Sequence, residues 1–171
     1  MAETKTHNVT MKGAPVTLIG KDVQVDQPAP NCTLIANDLS SMTIESLKGK
    51  KVILSVVPSL DTPVCDLQTK RFNQEAANLG DNVQIITISK DLPFAQKRWC
   101  GAQENNQVQT LSDYKSGAFG RAYGVLIDGL ELLTRAIFII DEKGDIRYKQ
   151  IVSEITDEPN YEEVVTQIKN L

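Results

Sequence analysis

The 171-residue chain holds few cysteines, and their spacing excludes several kinds of site. Cys32, Cys65 and Cys100 form an odd set, which is a poor basis for the paired disulfide framework of a small secreted protein. No two cysteines are spaced as Cys-x-x-Cys, and His7 is the only histidine, so the sequence argues against zinc. We therefore expect no metal and no other cofactor, and a thiol pair that is redox-active in a reducing compartment.

Long hydrophobic runs and an excess of basic charge are also missing. The longest apolar stretch, residues 51–57, is far too short to span a bilayer, and the opening stretch lacks the basic patch and apolar run of a secretory signal. Because 22 acidic side chains outnumber 18 basic ones, the chain has no electrostatic footprint for nucleic acid or anionic membrane. We expect a soluble, cytoplasmic protein that binds neither.

Periodicity predicts buried strands that alternate with helices, in a chain long enough for one domain. Two alternating runs around Gly13-Ala14 predict an N-terminal β-hairpin, and further strands are predicted at 32–35, 51–57, 83–89, 132–140 and 146–152, with a brief extended piece at 108–111. Predicted helices lie at 64–79, 91–99, 117–123 and 160–171, with a helical turn near 44–47. Leu67 belongs to the predicted buried face of the first helix, and Asp91 is the predicted cap of the second.

This order of elements predicts an α/β protein with a thioredoxin-like fold, in which helices flank a central mixed sheet. Periodicity by itself does not choose the thioredoxin-like fold over other mixed sheets. The predicted domain division is an N-terminal β-hairpin extension at residues 1–18 and a main domain at residues 19–171.

Cys65 lies where a predicted strand gives way, through a proline-flanked loop, to the first long helix. That position puts its sulfur near free backbone N–H groups and the positive end of the helix dipole, which both favour a thiolate. Asp61 and Asp66 oppose the anion, so they must point outward or a cation must offset them. Arg135 is the candidate cation, because it stands in an apolar strand where an unpaired charge is costly. The alternatives are a cysteine that is simply packed and a partly exposed arginine that pairs with an acid.

Pro58, Thr62 and Cys65 together form a Pro-x-x-x-Thr-x-x-Cys motif, which is the motif of the peroxiredoxins. The chain resembles the bacterial thiol peroxidases, an atypical two-cysteine subgroup of that family, along nearly its whole length. Further matching stretches are Ser-Leu-Asp-Thr-Pro-Val-Cys at 59–65, Ser-Lys-Asp-Leu-Pro-Phe-Ala-Gln at 89–96, Arg-Trp-Cys-Gly at 98–101 and Leu-Thr-Arg-Ala at 133–136.

The resemblance implies a peroxiredoxin domain over residues 19–171 and a peroxidase that reduces hydrogen peroxide and organic hydroperoxides to water and alcohols in antioxidant defence. It implies that Cys65 is the peroxidatic cysteine, that Cys100 resolves its sulfenic acid as a Cys65–Cys100 disulfide, and that the enzyme is a homodimer recycled by thioredoxin. The family's active-site arginine maps onto Arg135. With it, Thr62 and the first helix amides are the expected donors to the peroxide, and Pro58 is expected to shield the sulfur.

Alternatives remain open for the roles of Cys100 and Cys32 and for the function of the protein. Cys100 ends the second predicted helix, where the dipole disfavours a thiolate and suits a resolving thiol, although a packed side chain is the alternative. Cys32 is extra to the motif, and packing is favoured over a second resolving role. A redox sensor that uses the same disulfide, or an interaction domain with an unreactive Cys65, are the rival functions. A disulfide reductase is disfavoured, because it would need a second cysteine close to Cys65.

Overall fold

The computed structural model describes residues 4–103 and 108–171. Within these ranges the helices are α1 (Pro63–Leu79), α2 (Pro93–Gly101), α3 (Ala118–Tyr123) and α4 (Tyr161–Lys169), with a 3-10 helix at Ile44–Leu47. The strands are β1 (Thr4–Met11), β2 (Ala14–Ile19), β3 (Thr33–Ile35), β4 (Ser41–Thr43), β5 (Lys51–Val56), β6 (Val83–Ser89), β7 (Gln109–Ser112), β8 (Leu126–Ile127), β9 (Ala136–Ile140) and β10 (Ile146–Ile151). In the part of the chain so described, the helices are too short or too polar to cross a membrane.

A central mixed sheet organises the domain. Its strand order across the described residues is β10-β9-β5-β6-β7-β3-β4. Strands β5, β6 and β7 run parallel, and the other neighbours pair antiparallel. Parallel neighbours need long crossovers, and α1 and α2 lie in them. The predicted α/β fold, a central mixed sheet flanked by helices, is confirmed.

Two apolar clusters fill the faces of this sheet. On one face, Phe72 of α1 and Val164 of α4 pack against Ile53 of β5. On the other face, Phe119 and Tyr123 of α3 pack in a larger cluster with residues of β5, β6 and β9. Because β5 is covered on both sides, its run of β-branched and aliphatic residues reads as a continuous apolar stretch, which is why the sequence predicted it well.

The expected N-terminal hairpin forms a second, smaller sheet. Strands β1 and β2 pair antiparallel, and β2 pairs on its other side with β8, where Leu18 lies opposite Ile127. The carboxylate of Glu154, after β10, accepts hydrogen bonds from the backbone N–H of Gly13 at 2.8 Å and from the Thr10 hydroxyl at 2.9 Å. These bonds join the hairpin to the main domain.

The structure corrects one strand boundary and adds two short strands. β9 begins at Ala136 instead of residue 132. The preceding residues turn toward β8, since the N–H of Thr134 donates to Val125 O and Leu133 forms an isolated bridge with Leu126. Strands β4 and β8 were not predicted, because two or three residues are too few to show a period.

The predicted buried face of α1 is wrong at Leu67, whose surface is 53% exposed. The side chains buried in the first half of the helix are instead those of Cys65, Gln68 and Thr69. The start of α1 covers a polar cluster, so hydrophobic periodicity failed there at Leu67, whereas Phe72 further along the helix is buried as predicted.

Candidate active site

Cys65 is the third residue of α1, and none of its surface is exposed. Pro63 occupies the first helical position, where the missing N–H costs nothing. The first amide with an intrahelical acceptor is that of Asp66, which donates to Thr62 O at 3.0 Å. The N–H groups of residues 64 and 65 therefore lie in the unsatisfied first turn, at the positive end of the helix.

The guanidinium of Arg135 lies against this sulfur. Nη2 donates to Cys65 Sγ at 3.3 Å, Nη1 donates to Gln68 Oε1 at 2.7 Å, and Nε donates to Ile155 O at 2.8 Å. Arg135 is only 2% exposed, so its guanidinium is solvated by these protein acceptors rather than by bulk water. A buried guanidinium in direct contact with the sulfur places a positive charge and a hydrogen-bond donor beside the atom that would react.

The sheet register explains why these two residues meet. Ala136, at the start of β9, lies opposite Val56, at the end of β5. The residue before β9 is thus level with the start of the loop that leads from β5 into α1. The cation and the sulfur therefore lie close together at the same end of these two strands, although they are far apart in sequence.

Gln68 completes the cluster and was not singled out from the sequence. Its Nε2 donates to Ser55 Oγ at 2.7 Å, which leaves Oε1 to accept from Arg135. Gln68 lies three residues after Cys65, so both side chains face the same way from α1. That spacing, a polar residue one turn after a candidate nucleophile, was the signal available in the sequence.

The two acidic neighbours of Cys65 are both engaged away from the sulfur. Asp66 accepts from Lys70 Nζ at 2.7 Å and from Trp99 Nε1 at 2.8 Å. The exposed Asp61 lies 3.9 Å from the guanidinium of Arg98. The conflict raised by the sequence is therefore resolved in both expected ways, by orientation and by cations.

The loop before α1 is held by Asp91, whose predicted capping role is wrong. Leu92 occupies the cap position of α2, and the Asp91 carboxylate instead accepts from Ser59 Oγ at 2.7 Å and from the N–H of Leu60 at 2.8 Å. Thr62 Oγ1 donates to Ser59 O at 3.0 Å, so this hydroxyl bonds the loop in this structure rather than Cys65. The buried Pro58 follows β5 directly.

Cys100 is the penultimate residue of α2 and is half-buried. Its Sγ lies 3.4 Å from Thr110 Oγ1 on β7, and the Thr110 hydroxyl donates to Asn37 Oδ1 at 2.9 Å. A surface cavity of about 410 Å³ opens beside it, lined in part by Asn37, Met42 and Thr110. Cys65 and Cys100 are both free thiols, held by different partners.

Comparison with known proteins identifies the family. The sequence profile of the Redoxin family matches residues 24–165. The chain belongs to the redoxin family. This redoxin is 52% identical over 163 residues to a thiol peroxidase of Bacillus subtilis, with 95% of the chain and 97% of the relative covered. It is 51% identical over 162 residues to a thiol peroxidase of Halalkalibacterium halodurans, at 95% and 97% coverage.

Solved structures agree with this placement of the redoxin. A peroxiredoxin-like protein from Aquifex aeolicus superposes with a TM-score of 0.88 at 42% identity, with 95% of each chain covered. A thiol peroxidase from Chromobacterium violaceum superposes with a TM-score of 0.84 at 18% identity, again over 95% of each chain, which shows a shared fold.

The third cysteine of the redoxin lies outside this cluster. Cys32 directly precedes β3 and packs against the core cluster that contains Phe119 and Tyr123. Burial, with a smaller contribution from the charge of Asp113, raises the pKa of Cys32 to about 12. Such a thiol is almost wholly protonated at neutral pH, which favours the packing interpretation over a second resolving role.

Proposed function

We propose that this redoxin is a thioredoxin-dependent thiol peroxidase that reduces hydrogen peroxide and organic hydroperoxides to water and alcohols. One observation carries the proposal. Cys65 lies in the first turn of α1, and its buried sulfur is 3.3 Å from a guanidinium nitrogen of Arg135. The identity of about half of all residues with thiol peroxidases of two bacteria supports the same activity.

In the first step the Cys65 thiolate attacks the terminal oxygen of the hydroperoxide. An S–O bond forms and the O–O bond breaks, so Cys65 becomes a sulfenic acid, and the other oxygen takes up a proton and leaves as water or alcohol. A larger thiolate fraction alone raises the reaction rate only modestly. A free cysteine of pKa about 8.5 is already roughly 3% ionised at pH 7, so full ionisation raises the rate by only about thirty-fold. The larger part of the rate must come from donors placed around the breaking bond.

Arg135 and the amides of the first turn of α1 are the donors that the geometry favours. The hydroxyl of Thr62 joins them if it exchanges its bond to Ser59 O for one to the peroxide, and Pro58 shapes the loop around the sulfur. Because Cys65 has no exposed surface, the peroxide enters only when side chains over the sulfur, such as Leu60, move aside.

In the second step the Cys100 thiol condenses with the sulfenic acid. The product is a Cys65–Cys100 disulfide, and one water leaves. A disulfide requires Cα atoms within about 7 Å. Since the two sulfurs are held by Arg135 and Thr110, we propose that the start of α1, the end of α2, or both unwind locally in each cycle. Equal hydrogen-exchange protection of both helices in the two redox states would contradict this.

In the third step a thioredoxin dithiol restores both thiols. Attack on the Cys100 sulfur is favoured, because it expels the Cys65 sulfur, which leaves beside the Arg135 guanidinium. A thioredoxin variant without its second cysteine is expected to be trapped as a mixed disulfide at Cys100, whereas trapping at Cys65 would reject this order.

A cytoplasmic homodimer is the proposed working form. Free thiols in the described residues suit a reducing compartment. Exposed apolar side chains near the starts of α1 and α2, namely Leu67, Leu92 and Phe94, offer contact surface for a second copy. Light scattering of the purified chain tests the dimer, and a strictly monomeric mass would remove it.

The decisive experiment for the function combines mass spectrometry with turnover. One equivalent of peroxide is expected to give the Cys65–Cys100 disulfide in the wild type, a sulfenic acid on Cys65 in Cys100→Ser, and no oxidation at the site in Cys65→Ser. Continuous NADPH oxidation through thioredoxin and its reductase is expected in the wild type alone. A disulfide that forms without turnover would favour the redox sensor, and an unreactive Cys65 would favour the interaction domain.

A further inference from the structure

The neighbours of the two reactive cysteines are joined by a direct hydrogen bond. Trp99 Nε1 donates to Asp66 Oδ1 at 2.8 Å, and these residues adjoin Cys100 and Cys65 in sequence. The half-buried indole also packs on the cluster formed by Val57, Leu60 and Cys65. Trp99 thus holds the last turn of α2 against the first turn of α1.

Helix geometry makes this bond incompatible with disulfide closure. Successive residues of an α-helix point about 100° apart, because one turn takes about 3.6 residues. While the end of α2 is helical, Trp99 points at α1, and Cys100 points at Thr110 on β7. When this turn moves as a unit, turning the Cys100 sulfur toward Cys65 rotates the indole away from Asp66. When the turn unwinds instead, the indole loses the helical backbone that holds it against α1, so in either case closure acts against the bond.

The Asp66 end of the bond is firmly fixed. Its second oxygen accepts from Lys70 Nζ at 2.7 Å, and the residue lies within the helix that carries Cys65. A hydrogen bond to a charged acceptor is stronger than a neutral one. The contact at the other side of α2, between Cys100 and Thr110, is a long one to sulfur, 3.4 Å. The Trp99–Asp66 bond is therefore the stronger of the two restraints on Cys100.

We propose that Trp99 and Asp66 are positioning residues that delay resolution and so set the fate of the Cys65 sulfenic acid, an inference that rests on the proposed function. While the bond holds, a second hydroperoxide can react: the sulfenate attacks it, one oxygen is transferred, and Cys65 becomes a sulfinic acid as water or alcohol leaves. When the bond opens, Cys100 closes the disulfide and water leaves. The strength of one hydrogen bond decides between these products.

The test uses Trp99→Phe, which keeps a smaller aromatic ring on the cluster and removes the indole N–H, with Asp66→Ala as the second variant. Rapid-quench mass spectrometry under excess hydrogen peroxide follows sulfenic, sulfinic and disulfide forms of Cys65. We expect disulfide closure to be about five-fold faster in both variants, the factor that corresponds to roughly 1 kcal/mol, with a sulfinic fraction that falls to match. The rate of sulfenic acid formation is expected to stay within about two-fold of wild type.

Arg71→Ala is the matched control, because Arg71 lies further along the same helix and pairs there with Glu75 at 3.0 Å, apart from the Trp99–Asp66 bond. It is expected to close its disulfide at the wild-type rate. Wild-type closure and sulfinic fraction in Trp99→Phe and Asp66→Ala, or an equal acceleration in the control, would overturn the proposal. If no variant forms a sulfenic acid, including the wild type, the proposed function itself fails.

Fluorescence gives an independent measurement, since Trp99 is the only tryptophan of the chain. Its emission is expected to change when the wild type closes its disulfide. It is expected to stay constant in Cys100→Ser, which stops at the sulfenic acid. Unchanged emission in the oxidised wild type would show that the indole keeps its place during closure, which contradicts the proposal.

Discussion

The surroundings of Cys65 and Cys100 differ in almost every physical respect. Cys65 is wholly buried and touches a guanidinium whose three nitrogens all donate to fixed acceptors. Cys100 is half-buried beside an open cavity, and its recorded polar contact is one sulfur–hydroxyl approach of 3.4 Å. One thiol is built into a rigid electrostatic cluster, and the other is lightly held.

The difference matches the two kinds of work that the proposed cycle requires. Breaking an O–O bond develops charge in one place, so donors that are already oriented there lower the barrier most. Forming a disulfide requires one sulfur to travel to the other, so a sulfur with few direct contacts of its own suits that step. Four variants can break or sharpen this comparison, and they run from the largest expected effect to the smallest.

Replacing Arg135 is expected to have the largest effect, which should be confined to the reaction of Cys65 with peroxide. Arg135→Lys keeps the charge but lacks the planar guanidinium that holds three nitrogens against three separate acceptors, so the rate of sulfenic acid formation should fall by about 10²–10³-fold. Stopped-flow mixing with hydrogen peroxide measures this rate. Alkylation of Cys100 should proceed at the wild-type rate. Arg147→Lys, at an exposed arginine, is the control, and equal losses in both variants would contradict a specific role.

Replacing Gln68 is expected to have the second-largest effect on sulfenic acid formation, because this side chain orients the Arg135 guanidinium without contacting a peroxide. Gln68→Leu leaves Arg135 Nη1 and Ser55 Oγ unpaired, at a cost of about 1–3 kcal/mol in the free energy of unfolding. We expect sulfenic acid formation to slow by about ten-fold, a loss that corresponds to the same range. Denaturant unfolding and stopped-flow rates measure the two effects.

Two other substitutions separate orientation from simple disruption. Gln68→Glu keeps an acceptor for Arg135 and should recover most of the lost stability. Gln74→Leu, at an exposed position of the same helix, should change neither quantity. A wild-type peroxide rate in Gln68→Leu would remove Gln68 from the site.

The order in which these residues came to light shows what a sequence can reveal. Arg135 drew attention because a charged residue in an apolar run is conspicuous. Strands β5 and β9 were predicted because they are covered on both faces and so appear in the sequence as continuous apolar runs. Gln68 did not draw attention, because the apolar Leu67 beside it already fitted the helical period. Asp91 was misread because an acid before a helix is a common cap, whereas its actual partners lie in the loop before α1. Contacts of this kind are tertiary and leave no local pattern.

Loosening Cys100 further is the third test, with a smaller expected effect. Thr110→Val removes the hydroxyl that faces the sulfur, so disulfide closure should speed up by about three-fold while sulfenic acid formation is unchanged. Rapid-quench mass spectrometry measures both steps. Thr110→Ser retains the hydroxyl and serves as the control. Slower closure in Thr110→Val would mean that the hydroxyl assists Cys100 rather than restrains it.

Cys32 should show the smallest effect and provides the baseline for the comparison. Burial raises its pKa to about 12, so at pH 8 its thiolate fraction is lower than that of an ordinary cysteine. Iodoacetamide should therefore label Cys32 more slowly than Cys100 in the native reduced chain, and denaturant should abolish the difference. Cys32→Ser is expected to leave thioredoxin-coupled turnover within about two-fold of wild type, as for an isosteric change away from the chemistry. A Cys32–Cys100 or Cys32–Cys65 disulfide after peroxide treatment would show that burial does not keep this thiol out of the cycle, and the contrast between the other two cysteines would then have to include it.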